Sequence, residues 1–526
     1  MNLFDRTSLV ETLKVNLEWD VIIIGGGATG LGVALDSVTR GYKTLLLEQV
    51  DFAKGTSSRS TKLVHGGVRY LEQGNIDLVK EALYERGLML KNASHLVSNQ
   101  SFIIPNYRWW DIVFYTVGLK IYDFLSGKLS FGKSLKISKK ETLARLKTIK
   151  TENLKGGVAY HDGQFDDSRL AINIAQTCIE YGATVINHFK VVQLLKSSDG
   201  SLNGVVAKDA ETNQLHTLKT KLVINATGVF TDEVLKMDNV SAKNIIRPSQ
   251  GVHLVLDKSF LPGTDAIMIP KTADGRVLFL VPWHNRIIVG TTDTLLYSHS
   301  LEPKALDEEI DFIIETANKY LTKKVTKSDV LSVFSGLRPL AAPKNKSEKT
   351  KEISRSHKII VSKSGLITIT GGKWTTYRRM AQDTINKAIR LGKLSKAKCI
   401  TKDLKIHGST MEMIGQSNHL YVYGSDQKGI NQLIGEFPEL GEKLHPRLEF
   451  LKAEVIWAIR NEMARTVEDI LARRVRALFL DANAAIEITP LVAKMLAKEL
   501  DKDEDWKHQQ ISDFIEVASH FIIKKY

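Results

Sequence analysis

The sequence predicts an α/β fold. A Rossmann-like domain is interleaved with a domain built on a mixed or antiparallel sheet, and an α-helical domain follows at the C-terminus. Three observations point there. Near the N-terminus a run of β-branched residues enters a glycine-rich turn and then a helix. Short strands separated by polar turns crowd the middle of the chain. From about residue 396 the pattern becomes helical, with dense charge on one side.

Trp19-Asp20-Val21-Ile22-Ile23-Ile24 reads as a strand buried on both faces, as in a parallel sheet. Gly25-Gly26-Gly27-Ala28-Thr29-Gly30 follows, then helical spacing over 31–40, with Gly41 placed to end the helix. Residues 43–47 form a second apolar strand that ends at Glu48. Further on, 171–181 reads as a helix and 184–186 as a strand. Residues 191–195, 204–208 and 215–218 read as antiparallel strands, and 221–225 as a separate buried strand closed by Ala226-Thr227-Gly228. Short strands are expected at 252–256, 277–281 and 286–290, and a solvated, charge-rich loop at 344–358. A buried strand at 366–370 precedes Gly371-Gly372 and a helix from about 375 to 391; 449–475 and 485–500 have helical periodicity.

Composition narrows the class. The 526 residues are 43% hydrophobic and 25% charged, which excludes disordered, collagen-like and coiled-coil chains. Cys178 and Cys399 are the only cysteines, so a disulfide scaffold and an all-cysteine iron–sulfur site are excluded. The net charge of +14 favours anionic partners: acidic lipid, nucleic acid or a phosphorylated small molecule. Residues 1–20 carry Asp5, Glu11 and Glu18 and no apolar core, so no targeting leader is expected there. No run of about 18 apolar residues occurs, so no membrane-spanning helix is expected.

The spacing Gly25-x-Gly27-x-x-Gly30 gains weight from its context of strand, helix and an acidic residue ending the next strand. Gly25 permits the turn, Gly27 lets backbone N–H groups approach a pyrophosphate, and Gly30 lets helix pack on strand. The helix N-terminus adds partial positive charge. Glu48 is placed to accept ribose hydroxyls and to repel a 2′-phosphate. The small, hydroxyl-rich Ala53-Lys54-Gly55-Thr56-Ser57-Ser58 suits a loop beside a pyrophosphate and ribityl chain.

The stretch Thr56-Ser57-Ser58-Arg59-Ser60-Thr61-Lys62-Leu63-Val64-His65-Gly66-Gly67-Val68-Arg69-Tyr70-Leu71 resembles the signature of the FAD-dependent, quinone-linked glycerol-3-phosphate dehydrogenases. So do Asn225-Ala226-Thr227-Gly228, Gly290-Thr291-Thr292-Asp293, Ser335-Gly336-Leu337-Arg338-Pro339-Leu340 and Gly371-Gly372-Lys373-Trp374-Thr375-Thr376-Tyr377-Arg378, in the family's order. Together they cover most of 18–390. The resemblance implies an oxidoreductase region over 1–395, with FAD-binding parts at about 16–90, 150–245 and 336–395 and substrate or cap parts at about 91–149 and 246–335. A helical domain over 396–526 follows. Two departures matter. Asp501-Lys502-Asp503-Glu504-Asp505 lacks the glycine and closing glutamate of a calcium loop, unlike calcium-regulated members. The long insertion common in the oxygen-using oxidase branch is also missing, which leans toward a dehydrogenase.

The resemblance also implies roles. FAD accepts a hydride while the protein supplies orientation, a base and electrostatics. The dianion of sn-glycerol 3-phosphate demands cationic donors. Arg338 is expected to be a substrate arginine near the flavin, and Arg69 with Tyr70 to contact phosphate or hydroxyl. Lys373 is expected to hold phosphate or the flavin's negative charge, and Arg355 to be a further substrate arginine. His253, in Gln250-Gly251-Val252-His253-Leu254-Val255, is the expected base, and His65 a flavin or substrate contact. The cofactor set is Gly25, Gly27, Gly30, Glu48, Thr56, Ser57, Ser58, His65, Ala226, Thr227, Gly228, Gly371, Gly372 and Thr375; no metal is expected. With no haem motif or cysteine cluster, electrons are expected to pass to membrane quinone, on the cytoplasmic side of the membrane. The +14 charge suits an anionic lipid surface, and Trp109, Trp110, Phe114 and Tyr115 suit its interface. The competing readings are a peroxide-releasing glycerol-3-phosphate oxidase, an amino-acid oxidase on a similar scaffold, and a basic non-catalytic flavoprotein binding nucleic acid. No nucleic-acid module is evident, so no such partner is expected. A homodimer is left open.

Overall fold

The computed structural model describes residues 3–16, 18–72, 74–272, 275–341, 357–410 and 418–523. Among them two sheets carry the fold. In the first, of eight strands, Glu18–Ile24 lies between Thr44–Leu47 and Leu215–Asn225, both parallel to it. Thr184–Ile186 extends the sheet on one side and Ile367–Thr370 on the other, again parallel. Val21, Ile22 and Ile23 are fully buried because helices cover both faces, which is why this strand reads as continuous rather than alternating apolar sequence. The helix Ala28–Val38 comes down close on the sheet: a Cβ on Gly30 would stand 1.8 Å from the Gly25 carbonyl oxygen, and one on Gly32 2.9 Å from the Tyr377 ring.

Leu215–Asn225 is one strand, not the expected two. Its first half pairs antiparallel with Leu202–Asp209 and its second half parallel with Glu18–Ile24, and Lys219 belongs to both ladders. The lysines that look like a turn in the sequence are the exposed positions of an alternating strand.

The second sheet, of ten strands, is mixed. Ile246–Asp257 pairs with Val330–Ala341 along almost its whole length and with Arg286–Gly290 on its other side. Leu278–Trp283 and Ala266–Ile269 follow, and then Val97–Asn106, Gly156–Phe165 and Leu63–Val64. Two placements differ from the expected division of the chain. Gly156–Phe165 lies in this second sheet, not with the cofactor-binding strands, and Val330–Ala341 runs through the expected boundary at 336 without a break. Val97–Asn106 was not foreseen, because polar residues fill its first half and Pro105 ends it.

The C-terminal region is helical: Gln427–Glu436, Lys452–Asn461, the π-turn Asp469–Arg474, Ala477–Leu480, Ala482–Glu499 and Glu504–Ser519. Its charges do not all face water: Arg473, Arg474 and Arg476 are almost completely buried. The expected loop at 344–358 lies mostly outside the described residues. Among the described residues no helix is long and apolar enough to cross a membrane.

The Gly30 packing makes a direct test. Gly30→Ala forces the helix off the turn and is expected to cost roughly 1–3 kcal/mol, as overpacking does. A urea midpoint equal to wild type would show that the contact is not as close as described.

Candidate active site

The strand-to-helix turns of the first sheet line one groove, with a cavity volume of about 190 Å³. Gly25, Gly27, Glu48, Thr56, Ser57, Ala226, Thr227, Gly228, Gly371, Gly372 and Lys373, all singled out above, form its wall. Gly25 has φ +109°, and a Cβ there would stand 2.8 Å from the Ala226 carbonyl oxygen. The helix that follows has no side-chain cap at Gly27; instead Ser57 Oγ accepts the Ala28 N–H at 2.9 Å. A hydroxyl therefore lies at the positive helix end, where an anionic oxygen is best stabilised. Both Glu48 carboxylate oxygens are engaged, accepting the Gly26 N–H at 2.6 Å and the Val50 N–H at 3.0 Å. Burial raises its pKa, and these two donors work against that rise.

Four of the expected cofactor contacts do not line the groove, His65 among them. Gly30 serves helix packing. Ser58 is buried, and its carbonyl accepts Lys62 Nζ at 2.7 Å and an Arg476 amine at 3.0 Å. Thr375 is buried behind Trp374, whose indole N–H donates to the Ser57 carbonyl at 2.8 Å.

A second cavity, also of about 190 Å³, adjoins the first. One part is polar, with Thr61, His65, Thr291, Asp293, Arg276 and Arg338; another is apolar, with Leu63, Phe102, Met268, Val277 and Phe279. Arg338 donates to Thr291 Oγ1 and to the Thr292 carbonyl, both at 3.1 Å, and lies 3.5 Å from Asp293. The two cavities meet at neighbouring residues. Lys373 of the groove places its ammonium 3.8 Å from the ring centroid of Tyr70, which lines the second cavity, and Arg338 is followed by Pro339, which lines the groove.

His65 and Tyr70 thus lie in the second cavity, with Arg338. His253 lines neither. It is 2% exposed, its ring stacks on Phe334 at 4.8 Å, and Nε2 is 2.8 Å from Thr61 Oγ1. Burial, then Arg338 and Lys62, hold its pKa well below the ordinary 6.5, so the imidazole stays neutral. This is the histidine expected at the flavin. The strand faces inward as foreseen, but Thr61 stands between the ring and the cavity. The Arg69 side chain and all of Arg355 lie outside the described residues.

Over residues 20–378 the chain matches the family described as FAD dependent oxidoreductase. The chain belongs to that family. Residues 366–507 match the C-terminal domain of alpha-glycerophosphate oxidase. The flavoprotein is 41% identical to the probable mitochondrial glycerol-3-phosphate dehydrogenase of Caenorhabditis elegans, over 98% of this chain and 75% of the relative. It is 39% identical to the mitochondrial glycerol-3-phosphate dehydrogenase of Homo sapiens, over 96% of this chain and 74% of the relative. The solved glycerol-3-phosphate dehydrogenase from Bacillus halodurans complexed with FAD aligns with a TM-score of 0.81 at 28% identity, covering 100% of this chain and 99% of that one. The L-alpha-glycerophosphate oxidase from Mycoplasma pneumoniae with FAD bound, at 17% identity and a TM-score of 0.55 over 74% of this chain and 98% of that one, shares the fold.

The groove fits FAD on its own features: a left-handed glycine against backbone, an uncapped helix end, and a carboxylate at the tip of the second strand. The flavoprotein holds one wall of that groove in a way the sequence does not reveal. The 49–57 segment has only the single 3₁₀ turn Thr56–Ser58 to order it. Its anchors come from the helical domain and from Glu302. Asp51 accepts Arg473 Nε at 2.5 Å and two Arg474 donors at 2.7 and 3.0 Å. Lys54 pairs with Glu468 and with Glu302, and Arg59 with Glu302 at 2.6 Å. Asp51, His188 and Asp469 lie close enough to share an ion, yet their charge is met by the guanidiniums and by the His188–Asp469 pair at 2.9 Å. Burial opposes the charge on His188, but Asp469 and Asp51 outweigh it and raise its pKa.

Lys62 was missed, although it stands inside the quoted motif. Its ammonium is fully buried on Asp167 and the Ser58 carbonyl. Burial and Arg476 lower its pKa to about 7, against the pull of Asp167. A lysine between threonine and leucine gives no sequence signal of this.

Arg474→Met leaves Asp51 short of a partner. We expect a loss of about 3–5 kcal/mol, as for breaking a buried pair, and FAD lost on gel filtration; full flavin retention would contradict the anchoring. Histidines kept neutral give a pH signature. In the unfolded chain an imidazole takes a proton below about 6.5, whereas folded His253 does not and His95, lowered to about 4 mainly by burial, does so late. Stability is therefore expected to fall as pH drops from 7 to 5, by up to ~1.4 kcal/mol per unit per histidine. His95→Gln should flatten that decline in urea melts; an unchanged slope would refute it.

Proposed function

We propose that this enzyme is a quinone-linked, FAD-dependent glycerol-3-phosphate dehydrogenase that docks peripherally on the inner face of the cytoplasmic membrane. Its reaction oxidises sn-glycerol 3-phosphate to dihydroxyacetone phosphate. The observation that carries this reading is the meeting of the dinucleotide groove with a cavity holding Arg338 and Arg276, at the Lys373–Tyr70 contact. A doubly negative phosphate ester needs such cations, and a neutral substrate does not.

The chemistry removes a hydride from C2 and a proton from its hydroxyl. Bound FAD supplies the hydride acceptor. Gly25, Gly27, Glu48, Thr56, Ser57 and Ala226–Gly228 would hold it, with Gly371, Gly372 and Lys373 at the end nearest the second cavity. The hydrogen bonds of Arg338 to Thr291 and Thr292 fix the plane of its guanidinium, so that it meets the phosphate or the C2 oxygen already oriented. For the proton we assign His65 in place of His253. A base must reach the hydroxyl within hydrogen-bond distance; His65 lines the cavity, whereas His253 meets it only through Thr61 and lies in surroundings that oppose an imidazolium.

The acceptor reading is supported by the helix Trp109–Ser126. Trp109, Trp110, Val113, Phe114, Val117, Ile121 and Phe124 form an exposed apolar stripe, with Trp110 83% and Phe124 84% exposed. Arg108, Lys120, Lys133 and Lys136 are exposed around it. An aromatic stripe beside exposed cations matches the interface of an anionic bilayer, where a lipid-soluble quinone would be met. Tyr115 is the exception among the expected interfacial aromatics: it is only half-buried and packs edge-on against Phe114.

Anaerobic glycerol 3-phosphate is expected to bleach the oxidised flavin band of the purified enzyme, and a short-chain quinone to restore it. Failure to bleach refutes the substrate; stoichiometric peroxide in air with no response to quinone would make it an oxidase. His65→Asn is expected to lower kcat by about 10²–10⁴-fold, the usual contribution of a general base, with flavin retained; near-normal kcat would remove His65 from that role. Trp110→Ser with Phe124→Ser is expected to weaken cosedimentation with phosphatidylglycerol vesicles, and unchanged binding would exclude this helix as the dock.

A further inference from the structure

One side chain on the inner edge of the Trp109–Ser126 helix is bonded to a residue that lines the second cavity. Tyr122 is 1% exposed. Its phenol oxygen accepts the Gly66 N–H at 2.7 Å and donates to Asp162 Oδ2 at 2.7 Å. Asp162 lines the cavity, and its other oxygen accepts Arg86 at 2.7 Å. Arg86 is bonded in turn to Ser126 Oγ and to the Leu129 carbonyl, at the end of the same helix and in the turn after it. Tyr122 and Leu83 form a small buried cluster on which Val68 and Tyr70 pack.

This arrangement resolves an oddity. A carboxylate on the wall of a cavity for a dianion would repel the ligand. Arg86 neutralises Asp162 from behind, and the phenol takes a lone pair on its other oxygen. The carboxylate thereby serves as an acceptor that orients Tyr122. The phenol in turn fixes Gly66, between His65 and Gly67, and there is no slack: a Cβ on Gly66 would stand 2.5 Å from the Tyr122 oxygen.

We propose that Tyr122 is a positioning residue of the substrate cavity: held by the Arg86–Asp162 pair, its hydroxyl sets the backbone at Gly66 and with it the places of His65 and Tyr70. The proposal rests on reading this cavity as the substrate site. It adds a determinant from outside the quoted motifs and places it on the helix whose other face is exposed and apolar.

The test uses Tyr122→Phe as holoenzyme, with Gly66→Ala as a second variant that disturbs the same contact from the other side. With a soluble dye acceptor, both are expected to lower kcat for glycerol 3-phosphate at least fivefold, through the displaced His65, and to raise KM five- to tenfold, while FAD content stays at wild type. Hydrogen exchange of the peptide spanning 65–72, measured on the oxidised enzyme without substrate, is expected to speed up at least tenfold in Tyr122→Phe. Wild-type KM and wild-type exchange in that variant overturn the proposal. So does a lowered melting temperature accompanied by neither change, which would make the phenol merely structural. Failure of wild-type enzyme to be reduced by glycerol 3-phosphate overturns the substrate reading instead, and the exchange measurement still decides the role of Tyr122.

Discussion

The cofactor groove depends on a carboxylate that has left water. Asp51 is fully buried between Arg473 and Arg474, themselves nearly inaccessible. Taking such ions out of solvent costs several kcal/mol each, and only close, multiply bonded geometry offsets it. The result is a joint that is intolerant of partial formation. If the helical domain moves away, Asp51 loses Arg473 and Arg474 while Lys54 loses Glu468, and the 49–57 wall has almost no secondary structure of its own to fall back on. The C-terminal domain is therefore part of the cofactor site even though none of its residues lines the groove.

The same economy of placement runs through the second cavity. Its cations are not loose side chains waiting for an anion. Arg338 is held by Thr291 and Thr292, and Lys373 stands over Tyr70. Fixing them beforehand removes rotamer entropy that substrate binding would otherwise have to meet. The cost is concentrated positive charge behind the cavity, where Lys62 and Arg476 are also buried. Burial first, then the charge of Arg338 and Lys62, keeps the nearby His253 imidazole neutral, which on the proposed reading favours a base drawn from the wall of the cavity over one drawn from the strand behind it.

The groove was legible in the sequence because its determinants are local. Gly25, Gly27 and Glu48 follow from one strand–turn–helix–strand unit, and the backbone chemistry of that unit is fixed by spacing. Arg338 was legible from a motif whose glycine and proline confine the chain. What could not be read was long-range. His253 sits in an inward-facing strand as its sequence suggests, but whether such a strand residue touches a cavity depends on the residue in front of it, and Thr61 comes from 192 residues away. Gly156–Phe165 carries glycines and polar residues that mask its pairing with Val97–Asn106. The buried arginines of 473–476 have the composition of a solvated helix face, and only their carboxylate partners, on Asp51 and Asp167 over 300 residues earlier, mark them as core.

The Trp109–Ser126 helix joins these two scales. Seen as sequence it is too short and too charged at its edges to span a bilayer, and seen alone its exposed face is a liability of the kind soluble surfaces avoid. A monomeric surface with no partner would replace Trp110 and Phe124 with polar residues at no cost to the core, since neither touches it. The buried edge is constrained differently: Ile112, Leu119, Tyr122 and Ser126 are all buried. Two faces held to opposite standards on one helix are accounted for when the outer one has an apolar environment of its own and the inner one belongs to the substrate cavity. On the proposed reading, that pairing would put the entry of a membrane-borne electron acceptor and the binding of a water-borne phosphate ester on opposite sides of a single element.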